Sequence, residues 1–201
     1  FLLNSLLNKN YISKRFLGNL SDNYKKVENN LLKNISKFNI IITTGGASVG
    51  DEDHLVKALE NNGKIFFWRA AIKPGRPIAV GKIQNTYIVC LPGNPVSVQL
   101  LYAFIVKPLI LKLLGAPLLK ISAEKLKTNF SMIKKTKRLE WLRVSKKFIK
   151  NEYVIVKHPK QGSGMISSIS YSDGIVEIPE HVSSIKKGDI FDYYDFDKLF
   201  N

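Results

Sequence analysis

A chain of 201 residues, 45% of them hydrophobic, is long enough for one large or two small buried cores, and its 31 Lys plus Arg against 16 Asp plus Glu give a formal charge of +15. That charge raises a nucleic-acid partner, but the lysines are scattered. The densest basic stretch, Lys134–Lys150, alternates with apolar residues as strand edges with solvated lysines do, not as a basic tract interleaved with stacking aromatics, so no nucleic-acid partner is expected.

Apolar residues at helical spacing predict a short helix over Phe1–Lys9, and Ile12–Leu17 suits a strand. The opening residues lack a basic n-region and a small-residue cleavage site, so no signal peptide is expected. The chain starts without Met inside an apparent helix, and is expected to be a piece of a longer protein. Asp22 is placed to N-cap a helix whose Tyr24, Val27, Leu31, Ile35 and Phe38 form one apolar stripe. Ile40, Ile41 and Ile42 make a short buried strand. After a glycine loop, His54–Asn62 is a predicted helix with Gly63 past its end. Further strands are expected at Ile65–Trp68, Ile78–Val80 and Tyr87–Leu91. Within the last, Cys90, the only cysteine, is a buried reduced thiol that fits a cytoplasmic location.

Asn94 as N-cap, Pro95 at N1 and Gly115 as terminator then frame a long helix. Gln99, Lys107, Pro108 and Lys112 interrupt its apolar run, which marks a core helix and predicts no membrane span. Alternating strands and helices to this point imply an α/β domain over residues 1–120 with a parallel sheet covered on both faces. Beyond Ala116–Ile121 no helix is expected. β-type segments recur at Glu140–Val144, Tyr153–Val156, Gly174–Ile178 and Ile190–Tyr194 between the turn signals KQGSG, YSDG and KKGD, so residues 121–201 form a small all-β barrel or sandwich.

Three tight loops carry the candidate chemistry. The first is TTGGASVGDED at Thr43–Asp53, the second KPGRP at Lys73–Pro77, the third LPGNPVS at Leu91–Ser97. The first and third join an apolar strand to a helix, which points backbone N–H groups at one edge of a sheet, where α/β proteins hold oxyanions. Gly45 and Gly46 let the backbone approach a ligand, with Thr44 and Ser48 as hydroxyl donors; a ligand-free strand-to-helix turn is the alternative. The loop is neither a Walker A sequence nor a G-x-G-x-x-G fingerprint. Asp51, Glu52 and Asp53 either complement a helix dipole or place Asp53 beside Mg²⁺ and a phosphate. One carboxylate is a thin metal site, so a second acid would have to come from elsewhere. Lys73 and Arg76 flank Pro74 and Gly75 as a stiffened pair of cations for an oxyanion, or as two solvated surface charges. Pro92, Gly93, Asn94 and Pro95 form a rigid floor with the Ser97 hydroxyl nearby, or Asn94 is only a cap. Gln161 and Ser163 in KQGSG either reach across a domain or subunit boundary or make a plain turn. His54, His158 and His181 are too far apart for a local metal motif.

Taken together, IITTGGASVGDEDH, KPGRPIAVG and LPGNPVSVQLLYAFIVKPLILKLLG resemble the molybdopterin molybdenumtransferases, the MoeA and gephyrin E-domain family. KRLEWLRV, QGSGMISSISYSDGIVEIPE and IKKGD look like that family's C-terminal β-barrel domain. The resemblance implies a three-layer α/β/α domain of the MogA/MoaB type, lacking its first strand, over residues 1–120 and a β-barrel over 121–201. It implies insertion of molybdate into adenylylated molybdopterin with release of AMP, assisted by Mg²⁺, in a cytoplasmic homodimer, with the molybdopterin adenylyltransferase as a further partner. Residue by residue, Gly45, Gly46, Ser48 and Gly50 would line the pterin-phosphate or nucleotide pocket with Thr44. Asp53 would be a metal or catalytic carboxylate. Lys73 and Arg76 match the family's basic pair near molybdate and phosphate, where Lys usually stands in place of Arg76. Pro92, Gly93, Asn94 and Pro95 match its floor, with Ser97 beside it, and Arg143 and Ser163 match substrate-binding barrel positions. Family members carry two further N-terminal domains and a strand ending in a Gly-Asp-Glu type motif, so these 201 residues alone are expected to be inactive or severely impaired. The rival readings are a molybdopterin adenylyltransferase-type nucleotide-binding domain, against which Ala123–Asp197 argues, and a non-catalytic scaffold or binding module of the same fold.

Overall fold

The computed structural model describes residues 2–20, 22–45, 54–117, 121–135 and 137–200. It divides into a first unit, Phe1–Ala70 with Gly75–Leu118, and a second, Ala71–Pro74 with Leu119–Asn201. The helices are α1 (Leu2–Leu6), α2 (Tyr24–Asn34), α3 (His54–Asn62), α4 (Pro95–Leu101), α5 (Lys107–Leu113), α6 (Ser167–Ser170) and α7 (Phe196–Phe200). The strands are β1 (Ile40–Thr44), β2 (Lys64–Trp68), β3 (Ile72–Lys73), β4 (Ala79–Ile83), β5 (Thr86–Leu91), β6 (Glu124–Thr128), β7 (Met132–Ile133), β8 (Leu139–Ile149), β9 (Glu152–Lys157), β10 (Gly174–Ile178), β11 (Ser184–Ile185) and β12 (Ile190–Asp195).

In the first unit the sheet runs β1-β5-β4-β2. Only β1 and β5 are parallel; β5–β4 and β4–β2 are antiparallel. The expected parallel sheet is therefore corrected to a mixed one. Gln84 and Asn85 alone link β4 to β5, with Gln84 at φ 51, and two residues can turn a hairpin but cannot make a crossover. Alternation along β5 covers both faces. Ile88 and Cys90 join Val27, Leu31, Leu55 and Leu59 in one core cluster. Val89 and Leu91 point the other way and are equally buried, and α4 packs against β5. Two local expectations also change. Asn23, not Asp22, caps α2 through its side chain to the Lys26 N–H, and Asp22 lies 3.5 Å from His54 Nε2. Residues 12–20 form no strand.

Pro95–Leu113 is one helical run of 19 residues, long and apolar enough by length and composition to cross a membrane, with half of its apolar window buried. Its middle, Tyr102–Val106, is a π-helical turn in which the Lys107 N–H reaches the Tyr102 carbonyl. The wide turn sits where the Pro108 ring would otherwise press on the carbonyl four residues back, so the proline is accommodated without breaking the helix. Gly115, at φ 78, ends it; the Gly115 and Ala116 N–H groups bond back to the Lys112 and Leu111 carbonyls as a Schellman closure.

The second unit is a five-stranded barrel. The order β10-β12-β6-β9-β8 closes through β8–β10, and β3 adds to β8 as an outer parallel strand. Leu142, Val144, Ile155, Val176, Ile178 and Tyr193 fill its core. β6, β7 and β11 and the short helices α6 and α7 were not expected. In β6 the sequence is EKLKT, where lysines on the solvent side hide the alternation. Lys134 also departs from the solvated-lysine reading. It is 6% exposed, and its ammonium donates to the carbonyls of Arg138, Pro179 and Glu180. Burial lowers its pKa, opposed by the charges of Glu140 and Glu180.

Glu124 accepts hydrogen bonds from Lys146 Nζ at 2.5 Å and Lys198 Nζ at 3.2 Å, and these, the Lys146 bond first, hold its carboxyl below the ordinary value of 4.5 against a smaller opposing effect of burial. A depressed folded-state pKa adds stability above pH 4.5 that is lost as pH falls through the folded value. The acid limb of the stability curve, measured by urea melts below pH 6, is expected to flatten in Glu124→Gln.

Candidate functional site

Two of the three loops meet in the first unit. β1 and β5 end side by side, with Thr44 opposite Leu91, and the Gly45 N–H donates to the Leu91 carbonyl at 3.0 Å. A side-chain carbon on Gly93 would lie 3.7 Å from the Gly45 Cα, so the two glycine-bearing turns run almost backbone to backbone. Gly45, at φ 79, takes a conformation that a side chain would strain. Pro92 and Ser97 are buried beneath, whereas Thr44, Gly93 and Asn94 are exposed. Asn94 caps α4 in position only, since its side chain makes no capping bond, which leaves its amide available at the surface of the turn. Thr43 Oγ1 is buried, with no hydrogen-bond partner. Gly46, Ser48, Gly50 and Asp53, like Asp51 and Glu52, lie outside the described residues.

The basic loop is split between the units. Pro74 and Gly75 are buried, and a side chain on Gly75 would crowd Leu101 at 3.1 Å. Arg76 is exposed in the first unit, with its carbonyl accepting from the N–H groups of Ala70 and Ile78. Lys73 belongs to the second unit, where it ends β3 and faces Glu140. The sequence presents Lys73 and Arg76 as one pair; the structure gives them separate anchors.

In the barrel, Arg143 is 1% exposed. Its guanidinium donates to Ser168 Oγ at 3.1 Å and to the carbonyls of Trp141 and Gly162 at 3.2 and 3.3 Å. Burial pushes it down to about 10, so it stays charged at neutral pH. Gln161 does not reach outward. Its amide takes the Arg143 N–H at 2.9 Å and donates to the Arg143 and His158 carbonyls, both at 2.8 Å, which ties the KQGSG turn to β8. Ser163 is half-buried in that turn. Sequence reasoning missed Glu140 and Ser168. Ser168 had no signal, while the Glu140 carboxylate in a strand of buried residues could have been noticed as an acid needing a cation.

Among the described residues no three His, Cys, Asp or Glu side chains are grouped to hold a metal ion. Those residues do not by themselves make a magnesium site.

Residues 1–112 match the probable molybdopterin binding domain, and residues 125–196 match the MoeA C-terminal region (domain IV). A molybdopterin molybdenumtransferase of Haemophilus influenzae is 42% identical over 115 residues, 57% of this chain and 28% of that protein. The Drosophila melanogaster molybdenum cofactor synthesis protein cinnamon is 30% identical over 180 residues, 86% of this chain and 30% of that one. The crystal structure of the molybdopterin biosynthesis MoeA protein from Pyrococcus horikosii superposes with a TM-score of 0.70 at 28% identity, covering 90% of this chain and 43% of that chain. The chain thus spans less than half the length of each. A mixed α/β unit whose two glycine turns abut, followed by a closed barrel, in the order of these matches, places the chain in the MoeA family: a probable molybdopterin binding domain joined to a MoeA C-terminal region.

Proposed function

We propose that the protein to which this chain belongs is a cytoplasmic molybdopterin molybdenumtransferase that inserts molybdate into adenylylated molybdopterin and releases AMP. The two dithiolene sulfurs bond to molybdenum as one molybdate oxygen leaves as water with the two thiol protons, a second water cleaves the phosphoanhydride, and AMP leaves. The observation that carries this reading is the abutting pair of turns at the ends of β1 and β5, where Gly45 and Gly93 lie backbone to backbone. Such a turn pair accepts a phosphate or pterin edge without side-chain obstruction. Asn94 and Thr44 supply exposed polar groups there, Pro92, Pro95 and Ser97 floor the second turn, and Gly46, Ser48 and Gly50 are proposed to line the same pocket. Arg76 can grip an oxyanion with two parallel N–H groups and Lys73 acts as a point charge. Asp53 is the proposed carboxylate of the site, and Arg143 and Ser163 are proposed contributions of the barrel. A homodimer, and contact with the adenylyltransferase that makes the substrate, belong to the same proposal.

The test uses the product of the complete reading frame with purified adenylylated molybdopterin. AMP release is expected to depend on added molybdate and to match the molybdenum incorporated, while residues 1–201 alone release at most a small fraction. AMP release indifferent to molybdate would overturn the assignment and favour an adenylyltransferase-type nucleotide site.

A further inference from the structure

Glu140 puts a carboxylate where a carboxylate is costly. It lies in the buried part of β8 with its side chain 2% exposed, while Lys73 keeps 45% of its side chain in solvent. Lys73 Nζ stands 3.4 Å from Glu140 Oε1 and 3.5 Å from Oε2. Nearly equal distances put the ammonium between the two oxygens, held by charge more than by one short hydrogen bond. The residues are directly opposite in the β3–β8 ladder, which is only two residue pairs long. So short a ladder sets the backbone of Lys73 but not the course of its long side chain. The ion pair adds that constraint, from a partner that is itself fixed within the barrel. The ammonium has three donors, and one loosely bonded carboxylate leaves the remainder for an anion arriving from solvent. Directly after Lys73 the chain is anchored again, since Pro74 and Gly75 are buried.

We propose that Glu140 is a positioning residue that acts through Lys73, fixing its ammonium at the start of the basic loop so that an oxyanion meets a preset cation rather than a freely rotating lysine. The inference rests on the proposed reading that Lys73 meets molybdate or phosphate. It also makes Lys73 and Glu140 one functional unit, so that loss of either partner disturbs the other.

The test is a double-mutant cycle in the product of the complete reading frame: native protein, Glu140→Gln, Lys73→Met and the two combined. The constants read are kcat and KM for molybdate, with molybdate affinity by equilibrium dialysis well below each thermal midpoint, so that partial unfolding cannot imitate lost binding. Glu140→Gln is expected to weaken molybdate binding and raise KM about tenfold, the scale of one charge-assisted contact, with kcat changed much less. In the Lys73→Met background the same substitution is expected to change affinity less than about twofold. Glu140→Asp, which keeps the charge on a shorter stem, is expected to restore part of the loss. Equal losses from Glu140→Gln in both backgrounds, or none in the native one, would overturn the positioning role and leave the proposed function standing. Native molybdate affinity in Lys73→Met would overturn the role of Lys73, and that of Glu140 with it.

Discussion

Gly174→Ala is expected to cost the second unit about 3 kcal/mol or more and to lower its melting temperature by roughly 10–20 °C. Gly174 lies in β10, the strand that closes the barrel, opposite Val144 on one side and Asp195 on the other. A side-chain carbon there would stand 2.3 Å from the Tyr194 carbonyl oxygen, and 2.6 and 2.8 Å from ring atoms of Tyr193. The Tyr193 ring is 1% exposed, and it occupies the space beside the bare glycine. Burial, with the nearby Asp195 and Asp173 charges, pushes its hydroxyl pKa up, as expected for a phenol held inside the barrel. No rotamer change relieves an overlap with a backbone carbonyl, so the strands themselves must part. Gly164→Ala is the matched control, because nothing lies within 4 Å of its added carbon and its φ is not positive. Calorimetry on the two variants is expected to separate them clearly, with Gly164→Ala within about 0.5 kcal/mol of the native chain. Equal midpoints would show that the barrel opens at β10 without penalty.

Lys134→Ala is expected to remove about 3 kcal/mol from the same unit. Hydrogen bonds from a charged donor contribute about 1.5–3 kcal/mol each, and relief from burying the charge offsets part of losing three. The ammonium gathers carbonyls from two separate links, Arg138 just before β8 and Pro179 with Glu180 just after β10. The Lys134 N–H adds a bond to the Ser183 carbonyl at 2.8 Å. Truncation leaves the carbonyls facing one another across an emptied site. Lys134→Met, which keeps the apolar stem, is expected to recover packing but not the polar share, so urea melts should place it between the native chain and Lys134→Ala. A stability in Lys134→Ala equal to the native value would show that solvent satisfies those carbonyls.

The turns at the ends of β1 and β5 were legible, as far as Gly45 in the first and through Pro92–Asn94 in the second, because Gly and Pro at strand ends have few other uses, and α3 was legible because its apolar spacing and Gly63 both mark it. The same features made the family resemblance visible, since its motifs are those loops. Strand direction was harder. Ile78–Val80 and Tyr87–Leu91 are equally apolar whichever way they run, and only the two-residue link between β4 and β5 reveals the hairpin. The site's side-chain partners were largely illegible. Lys73 and Glu140 are 67 residues apart, and although the KPGRP loop marks the lysine, nothing local tells which carboxylate it meets. Lys134 looked solvated because periodicity reports which face a residue takes, not whether a carbonyl cage waits there. For Gln161 the sequence left a reach to a partner and a plain turn both open; its amide matches the Arg143 main chain, a complementarity that only the folded turn creates.

Ala71–Pro74 leaves one unit, serves the other and returns, so the chain passes between the units three times. On the ribosome, the outermost strand of the barrel emerges together with the sheet of the first unit, long before β8 exists to receive it. Until then its backbone donors and acceptors must be satisfied by water. The order of synthesis therefore makes completion of the barrel edge a late, long-range event. A protease or a gene break at residues 116–121 would not yield two finished halves: one would trail an unused strand, and the other would show bare N–H and C=O groups at the start of β8.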